Sequence, residues 1–197
     1  MKSLSANKPR LIAMVGIPGS GKSYFAEHFA ETFKAPIVSF HHFRYELFNE
    51  PNYGDDECEI INRVANLMLD ELLKTGRTIL YEGKTNTRNE RLALAKKSRG
   101  AGYEVLFVWV QTDIETAQKR ATKSSDDKTA MTVEQFERQI KKFIPPNQLE
   151  KIVVISGKHT YASQLKIVLK RLVEPRPNSD NNLPQPRPIT SRNVLIR

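Results

Sequence analysis

An eight-residue segment near the amino terminus constrains the fold more than any other part of the chain. It reads Gly16-Ile17-Pro18-Gly19-Ser20-Gly21-Lys22-Ser23 and matches the pattern G-x-x-x-x-G-K-[S/T] in full. The apolar run Leu11–Val15 precedes it and a helical pattern over Lys22–Phe33 follows it. Small residues let the backbone bend around an anion, and the following helix adds its positive end. The segment therefore predicts a phosphate-binding loop between a buried strand and a helix.

This loop predicts ATP and Mg²⁺ as cofactors. The residues expected to bind them are Gly16, Pro18, Gly19, Ser20, Gly21, Lys22 and Ser23. In such a loop Lys22 reaches the β- and γ-phosphates, and the Ser23 hydroxyl can ligate Mg²⁺. The glycine spacing does not fit the G-x-G-x-x-G of dinucleotide-binding proteins. The sequence also has no Asn-Lys-x-Asp guanine motif and no apolar run followed by Asp-Glu, which disfavours a GTPase and a motor ATPase.

Short apolar runs alternate with helical patterns along most of the chain. The predicted strands are Leu11–Val15, Pro36–Phe40, Arg77–Glu82, Tyr103–Val110 and Lys151–Ser156. The predicted helices are Lys22–Phe33, Asp55–Thr75, Arg88–Arg99, Asp113–Lys123, Thr132–Phe143 and Thr160–Leu172. The second has a predicted apolar stripe of Ile60, Ile61, Val64, Leu67, Met68 and Leu72. Thr112 is the predicted cap of the fourth helix, and Thr132 with Gln135 forms a predicted capping box at the fifth. The nearly continuous apolarity of Tyr103–Val110 indicates burial on both faces. We expect an α/β fold with three α/β/α layers around a five-stranded parallel sheet.

The character of the chain changes after Val173. Five of the eleven prolines lie between Pro175 and Pro188, with several asparagines among them. A segment of this composition cannot form a packed core. We expect one domain over residues 1–173 and a proline-rich, extended or disordered tail over residues 174–197.

Composition excludes several other classes of protein. The mean hydropathy is −0.49 and the longest apolar run is short, so we expect no transmembrane helix and no membrane partner. Cys58 is the only cysteine, which excludes an intramolecular disulfide and a cysteine zinc site. Met1–Pro9 contains no apolar signal segment, so the expected compartment is the cytoplasm.

Charge is unevenly distributed along the chain. The formal net charge is +9, from 31 Lys and Arg against 22 Asp and Glu, which favours anionic partners. The segment from Lys84 to Arg99 contains six basic residues and one acid, whereas Glu46 to Glu59 contains six acids and no base. The basic segment is either a solvated helix face or a surface for nucleic acid.

Beyond the loop, the chain resembles the small P-loop kinases grouped with the polynucleotide 5′-hydroxyl kinase domain, and more loosely the zeta-toxin-like and chloramphenicol-phosphotransferase-like enzymes. Four features carry the resemblance, in chain order: Gly16–Ser23, Val38–Arg44, Tyr81–Arg91, and Thr112-Asp113 followed by Arg120. The second is similar to the family's Ser-x-Asp-x-x-Arg, and the third to its Asp-x-x-x-Asn…Arg. The resemblance implies a P-loop kinase-like fold and transfer of the ATP γ-phosphoryl group to a hydroxyl.

The resemblance also implies roles for individual residues. Arg120 would stabilise the transferred phosphoryl group from a lid at about residues 120–130. The acceptor would be bound by Arg44, Glu82, Asn86 and Arg91, and Glu82 would also hold Mg²⁺. The acceptor itself stays open between a nucleic-acid 5′-hydroxyl and a small metabolite, and so does the oligomeric state.

Two departures from the family pattern leave a second hypothesis. His41 stands where the family has the aspartate that accepts the acceptor's proton, and Glu82 stands where aspartate is usual. A neutral histidine can act as a base near pH 7, so His41 is a candidate catalytic residue beside Lys22 and Arg120. The alternative is a catalytically degenerate ATP-binding regulatory protein, with the proline-rich tail docking a partner.

Overall fold

The structure is a computed structural model, and it describes residues 8–123, 130–147, 150 and 152–173. The predicted tail over residues 174–197 and most of the predicted lid lie outside this range. None of the described helices is long and apolar enough to cross a membrane.

Five strands form a single parallel sheet. They are β1 (Arg10–Val15), β2 (Ile37–Ser39), β3 (Ile79–Glu82), β4 (Glu104–Gln111) and β5 (Ile152–Ser156). Their order across the sheet is β2-β3-β1-β4-β5, and every neighbouring pair is parallel. The predicted five-stranded parallel sheet is confirmed. From β1 the chain crosses to β2 at one edge, and after β3 it returns to add β4 and β5 on the other side of β1. Ligands bind in such sheets at the carboxyl ends of the strands where the order reverses in this way.

Helices cover both faces of the sheet. In the described residues they are α1 (Lys22–Phe33), α2 (Phe40–Leu47), α3 (Asp55–Leu73), α4 (Arg88–Gly100), α5 (Ile114–Ala121), α6 (Val133–Lys142) and α7 (Tyr161–Val173). Phe25 and Phe29 of α1 and Val168 of α7 belong to one buried cluster. Leu69 of α3 and Leu94 of α4 belong to a second cluster. The predicted three-layer arrangement is therefore confirmed.

The two faces of β4 differ from the expectation of equal burial. Leu106, Val108 and Val110 are buried against α1 and α7. Phe107 and Trp109, which point to the other face, are only half-buried. On that face Phe107 packs against the second cluster only partly buried, and the buried strand residues of that cluster come from β1, β2 and β3.

Helix α2 was not predicted. The expected strand Pro36–Phe40 ends at Ser39, and Phe40 is the first helical residue. The Ser39 hydroxyl accepts a hydrogen bond from the His42 backbone N–H at 3.2 Å, which caps the helix. This short helix turns the segment around His41 and Arg44 toward the carboxyl end of the sheet.

The buried face of α3 also differs from the predicted apolar stripe. Its buried apolar residues are Ile61, Ala65, Leu69 and Leu73, spaced four residues apart. Leu67, which the stripe included, is 69% exposed. The register matters for the site, because it places Glu57 on the buried side of the first turn.

Candidate active site

A cavity of about 1060 Å³ opens at the carboxyl end of the sheet. On one side it is lined by the phosphate loop, Gly16–Ser23, together with Arg120 and Lys123; we call this the phosphate-loop half. On the other side it is lined by residues of α2, of α3 and of the loop before α3, facing α6; we call this the α2–α3 half. Two ligands can therefore lie side by side in one enclosure.

The phosphate loop has the backbone geometry that its sequence predicts. Gly19 and Gly21 have φ angles of 72° and 104°, in the left-handed region that favours glycine. A Cβ atom on Gly19 would lie 2.1 Å from the carbonyl oxygen of Ala117 in α5. The glycine is thus required both by the turn and by the close approach of the helix.

A second close approach joins the phosphate loop to the loop after β5. A Cβ atom on Gly157 would lie 2.0 Å from the Ser20 carbonyl oxygen and 2.2 Å from Thr112 Oγ1. The Thr112 hydroxyl donates to that same Ser20 carbonyl at 3.0 Å. The predicted helix cap at Thr112 is therefore wrong, since Thr112 holds the phosphate loop. Asp113 caps α5 by accepting the Thr116 N–H at 2.9 Å.

Lys22 lies at the centre of the phosphate-loop half. Its ammonium group donates to the Ile17 carbonyl at 2.9 Å, across the loop. Burial lowers the pKa of Lys22, and the nearby Glu82 carboxylate acts in the opposite direction. Phosphate groups in the loop would add negative charge beside this ammonium and favour its charged form.

Ser23 and Glu82 form an oxygen-rich pair beside the loop. The Ser23 hydroxyl donates to Glu82 Oε1 at 2.5 Å, and the Ser39 hydroxyl donates to Glu82 Oε2 at 3.0 Å. Hydroxyl and carboxylate oxygens are the ligands that Mg²⁺ prefers, and Mg²⁺ commonly takes one or two protein ligands plus substrate phosphates. The donor set fits that ion. Among the described residues, no cluster of three or more His, Cys, Asp or Glu side chains could hold a metal alone.

His41 lines the cavity on α2, facing the Glu82 end of the site. Its ring packs edge-on against Tyr45 with centroids 4.7 Å apart. Loss of hydration in the cavity lowers the pKa of His41, and the Glu82 carboxylate partly opposes this. The imidazole is therefore neutral at neutral pH and can accept a proton.

Arg44 is held in a fixed orientation in the α2–α3 half. Its Nε donates to Glu57 Oε1, and the guanidinium lies over the Tyr53 ring, 4.2 Å from the centroid. The side chains of Arg44 and Glu57 are only 12% and 2% exposed. The other oxygen of Glu57 accepts the backbone N–H groups of Asn52 and Tyr53 at 2.6 and 3.1 Å. Glu57 thus connects Arg44 to the loop before α3.

Glu57 and Tyr53 are the site residues that sequence reasoning missed. The signal was the acidic run between Glu46 and Glu59, which contains no base. One of its carboxylates is buried and pairs with the arginine thirteen residues earlier. The sequence alone does not show which acid in the first turn of a helix is turned toward the protein interior.

Arg91 is not at the acceptor site where the sequence resemblance places it. It does not line the cavity, and it is 1% exposed. Its guanidinium binds Glu150 in two hydrogen bonds of 2.6 and 2.9 Å and donates to the carbonyls of Thr85 and Ile144. This pairing lowers the pKa of Glu150. Because its donors are spent on these partners, Arg91 fastens the loop after β3 to the segment after α6.

Asn86 and Arg120 do line the cavity. The Asn86 carbonyl accepts the Ile144 N–H at 2.9 Å, which leaves its side chain at the cavity wall. Arg120 donates from Nη1 to the Gly157 carbonyl at 3.0 Å. The predicted lid arginine therefore contacts the loop after β5, on the phosphate-loop side.

The central strand, the phosphate loop and the carboxylate at the end of β3 together define a P-loop kinase-like fold. The comparison with protein families agrees: the family described as an AAA domain matches residues 11–146, and the chain belongs to it. No curated protein matches the sequence significantly.

Solved structures share the fold at low sequence identity. The gluconokinase from Sinorhizobium meliloti 1021 is 18% identical, covering 83% of this chain and 91% of its own, with a TM-score of 0.61. A sugar kinase from Janibacter sp. HTCC2649 is 16% identical over 82% and 93%, with a TM-score of 0.61. Kti12 from Chaetomium thermophilum, in complex with ADP-AlF3, is 15% identical over 82% and 96%, with a TM-score of 0.64. These similarities concern the fold.

Proposed function

We propose that the protein is an ATP-dependent kinase that transfers the γ-phosphoryl group to a hydroxyl acceptor. The observation that carries the proposal is the hydrogen bond between Ser23 and Glu82. It joins the phosphate loop to the end of β3 inside a cavity with room for two ligands. A phosphate loop alone supports binding, whereas this arrangement supports transfer between two bound molecules.

The phosphate-loop half would hold the nucleotide. Backbone N–H groups of residues 19–23 bind the phosphates, and Lys22 binds the β- and γ-phosphates with its ammonium group. Ser23 and Glu82 would hold Mg²⁺, which neutralises charge on the phosphate oxygens when bound. Arg120 contacts the loop after β5, where the base of the nucleotide would lie, and it also lines the cavity beside the phosphate loop.

The α2–α3 half would hold the acceptor. Arg44 and Asn86 bind it, and His41 accepts the proton of its hydroxyl. The acceptor oxygen forms a bond to the γ-phosphorus as the bond to the departing ADP oxygen breaks. In a loose transition state of this kind, positioning and charge stabilisation contribute more than the base does.

The kinases among the similar structures support this assignment. One is named a gluconokinase and another a sugar kinase, and Kti12 is in complex with ADP-AlF3. Each is a nucleotide-binding or phosphoryl-transferring protein by its own name or contents. Together with the family they support ATP as the nucleotide and a hydroxyl as the acceptor.

The test is the transfer of label from γ-labelled ATP, with Mg²⁺, to pools of metabolites, RNA and DNA. A kinase yields a labelled product that depends on both Mg²⁺ and Lys22. Equilibrium binding of ATP without a labelled product in any pool would instead favour the catalytically degenerate regulatory protein.

A further inference from the structure

Two contacts join the loop before α3 and the start of α3 to α6. The Gln135 side chain of α6 donates to the Asn52 carbonyl at 3.4 Å. The Lys142 ammonium of α6 lies 3.4 Å from Asp55 Oδ1, at the start of α3. We call these two contacts the bridge. Of these residues Asp55 and Lys142 line the cavity, so the space behind the bridge is the α2–α3 half.

Both sides of the bridge rest on well-anchored structure. The loop before α3 is held by Glu57, which accepts the N–H groups of Asn52 and Tyr53. Helix α6 is anchored by the buried Phe136. Just beyond the end of α6, the backbone N–H of Ile144 donates to the Asn86 carbonyl. The bridge therefore connects two fixed walls, although each of its contacts is individually weak.

The space behind the bridge suits one small molecule. Small-ligand pockets typically measure about 300–1,000 Å³. The whole cavity is about 1060 Å³, and the nucleotide takes the phosphate-loop half of it. What remains has the size of a metabolite.

The basic segment from Lys84 to Arg99 is divided among different tasks. Arg91 is buried against Glu150, and Lys97 pairs with Asp70 of α3 at 2.8 Å. Lys84 lines the cavity, which leaves Arg88, Lys96 and Arg99 exposed on α4. Nucleic-acid binding strengthens with the number of phosphates neutralised, and three exposed cations give weak binding. The basic segment by itself is thus a poor track for a nucleic acid.

The hydrogen-bond donors of Arg44 favour an anionic acceptor. The carboxylates that line this half already accept hydrogen bonds or pair with cations: Asp55 has Lys142, Glu59 has Arg63, and Glu90 accepts the Thr87 N–H. Glu57 pairs with Arg44 at one edge of its guanidinium. Arg44 has hydrogen-bond donors left over, since only Nε and Nη2 have partners among the described residues. A guanidinium with spare donors binds phosphate or carboxylate well.

We propose that the acceptor is a small hydroxyl-bearing anion, a phosphate or a carboxylate, enclosed between the loop before α3 and α6. The proposal rests on the proposed kinase function, and phosphorylation of the end of a nucleic-acid chain is the outcome that would contradict it.

The experiment incubates the full chain with γ-labelled ATP and Mg²⁺ in parallel arms. One arm contains a small-molecule filtrate of a cell extract, separated afterwards by anion exchange. The others contain synthetic RNA and DNA oligonucleotides with 5′-hydroxyl ends. We expect label in the filtrate arm, on acceptors that already bind the anion exchanger in an unreacted filtrate. The separation also resolves acceptors that carry a phosphate from those that carry a carboxylate. The oligonucleotides stay unlabelled.

Three results would overturn the proposal, and they are distinguishable. Label on an oligonucleotide at a rate matching or exceeding that of the filtrate leaves the kinase function standing and removes the small acceptor. Label on a neutral filtrate compound removes the requirement for an anion. No label in any arm, with ATP still bound, removes the kinase function as well.

Discussion

The two halves of the cavity are built on different principles. The phosphate-loop half is made mainly by the consecutive residues Gly16–Ser23, whose backbone N–H groups and glycine conformations are proposed to bind the phosphates. The α2–α3 half is made by side chains from separate elements, such as Arg44, Glu57 and Lys142. A backbone site accepts few substitutions, whereas a side-chain site can change its ligand one residue at a time. The nucleotide should therefore be less variable than the acceptor under mutation.

The largest expected effect comes from the phosphate-loop half. Lys22→Ala should lower kcat by about 10³-fold or more, because it removes a preorganised positive charge at the transferring phosphoryl group. Circular dichroism and Tm should stay near those of the parent protein. The matched control is Lys96→Ala, an exposed lysine on α4. Turnover in the Lys22 variant equal to that of the control would contradict its role.

The next largest effect on kcat is expected at His41, which lies between the two halves of the cavity. Because the pKa of His41 is lowered, the parent enzyme should lose kcat only as the pH falls below the ordinary histidine range, when the imidazole becomes protonated. His41→Gln should lower kcat by about 10²-fold and abolish this acidic decline. A pH profile of kcat checks both. An unchanged acidic limb in the variant would assign the limb to another group.

A smaller effect should separate the halves most cleanly. Glu57→Gln weakens the orientation of Arg44, so KM for the acceptor should rise about 10-fold, the equivalent of one weakened hydrogen bond to a charged group. KM for ATP should stay constant, since the phosphate loop does not contact Glu57.

The free energy of unfolding of a second variant at the same position tests the ion pair between Glu57 and Arg44. Glu57→Ala leaves a buried guanidinium unpaired and should lower the free energy of unfolding by about 3–5 kcal/mol. Glu59→Gln is the control, since its exposed pair with Arg63 contributes about 0.3–0.5 kcal/mol.

The kinetic prediction for Glu57→Gln has its own contrary outcome. Equal rises in KM for ATP and for the acceptor would show general loosening of the fold and no separate acceptor half.

The smallest effect concerns the bridge. Asp55→Asn weakens an exposed ion pair, so stability should change by less than about 1 kcal/mol. The acceptor range should widen, with larger homologues of the acceptor gaining a few-fold in kcat/KM relative to the smallest one. Asp56→Asn, also exposed at the start of α3, is the matched control. An identical size preference in the two variants would mean that the bridge does not limit the acceptor.

Much of the fold could be predicted from sequence because its signals are local. Each strand is a short apolar run, and each predicted strand end lies within two residues of the observed one. The capping box that begins α6, with Thr132 and Gln135, was also predicted and is present. The sequence places Ser23 and Glu82 together at a predicted metal-binding position, and the structure shows the two side chains hydrogen-bonded to each other.

The rest depends on partners far apart in the chain. Arg91 has the spacing of an acceptor-binding residue, yet its partner is Glu150, 59 residues later. Ser39, which caps α2, donates to Glu82, 43 residues later. Glu57 has nearer partners, Arg44 and the loop before α3, but helical periodicity does not specify them. Such contacts are decided by packing, which no local pattern encodes.

Gly157 gives the molecule a position where sequence variation should be nearly forbidden. It lies outside the phosphate loop, yet any side chain there would meet the Ser20 carbonyl and the Thr112 hydroxyl. A survey of all single substitutions, scored by retained ATP binding, should therefore find this loop residue as depleted as the glycines of the motif itself. The residues that shape the proposed nucleotide site thus include one that lies far from the phosphate loop in the sequence.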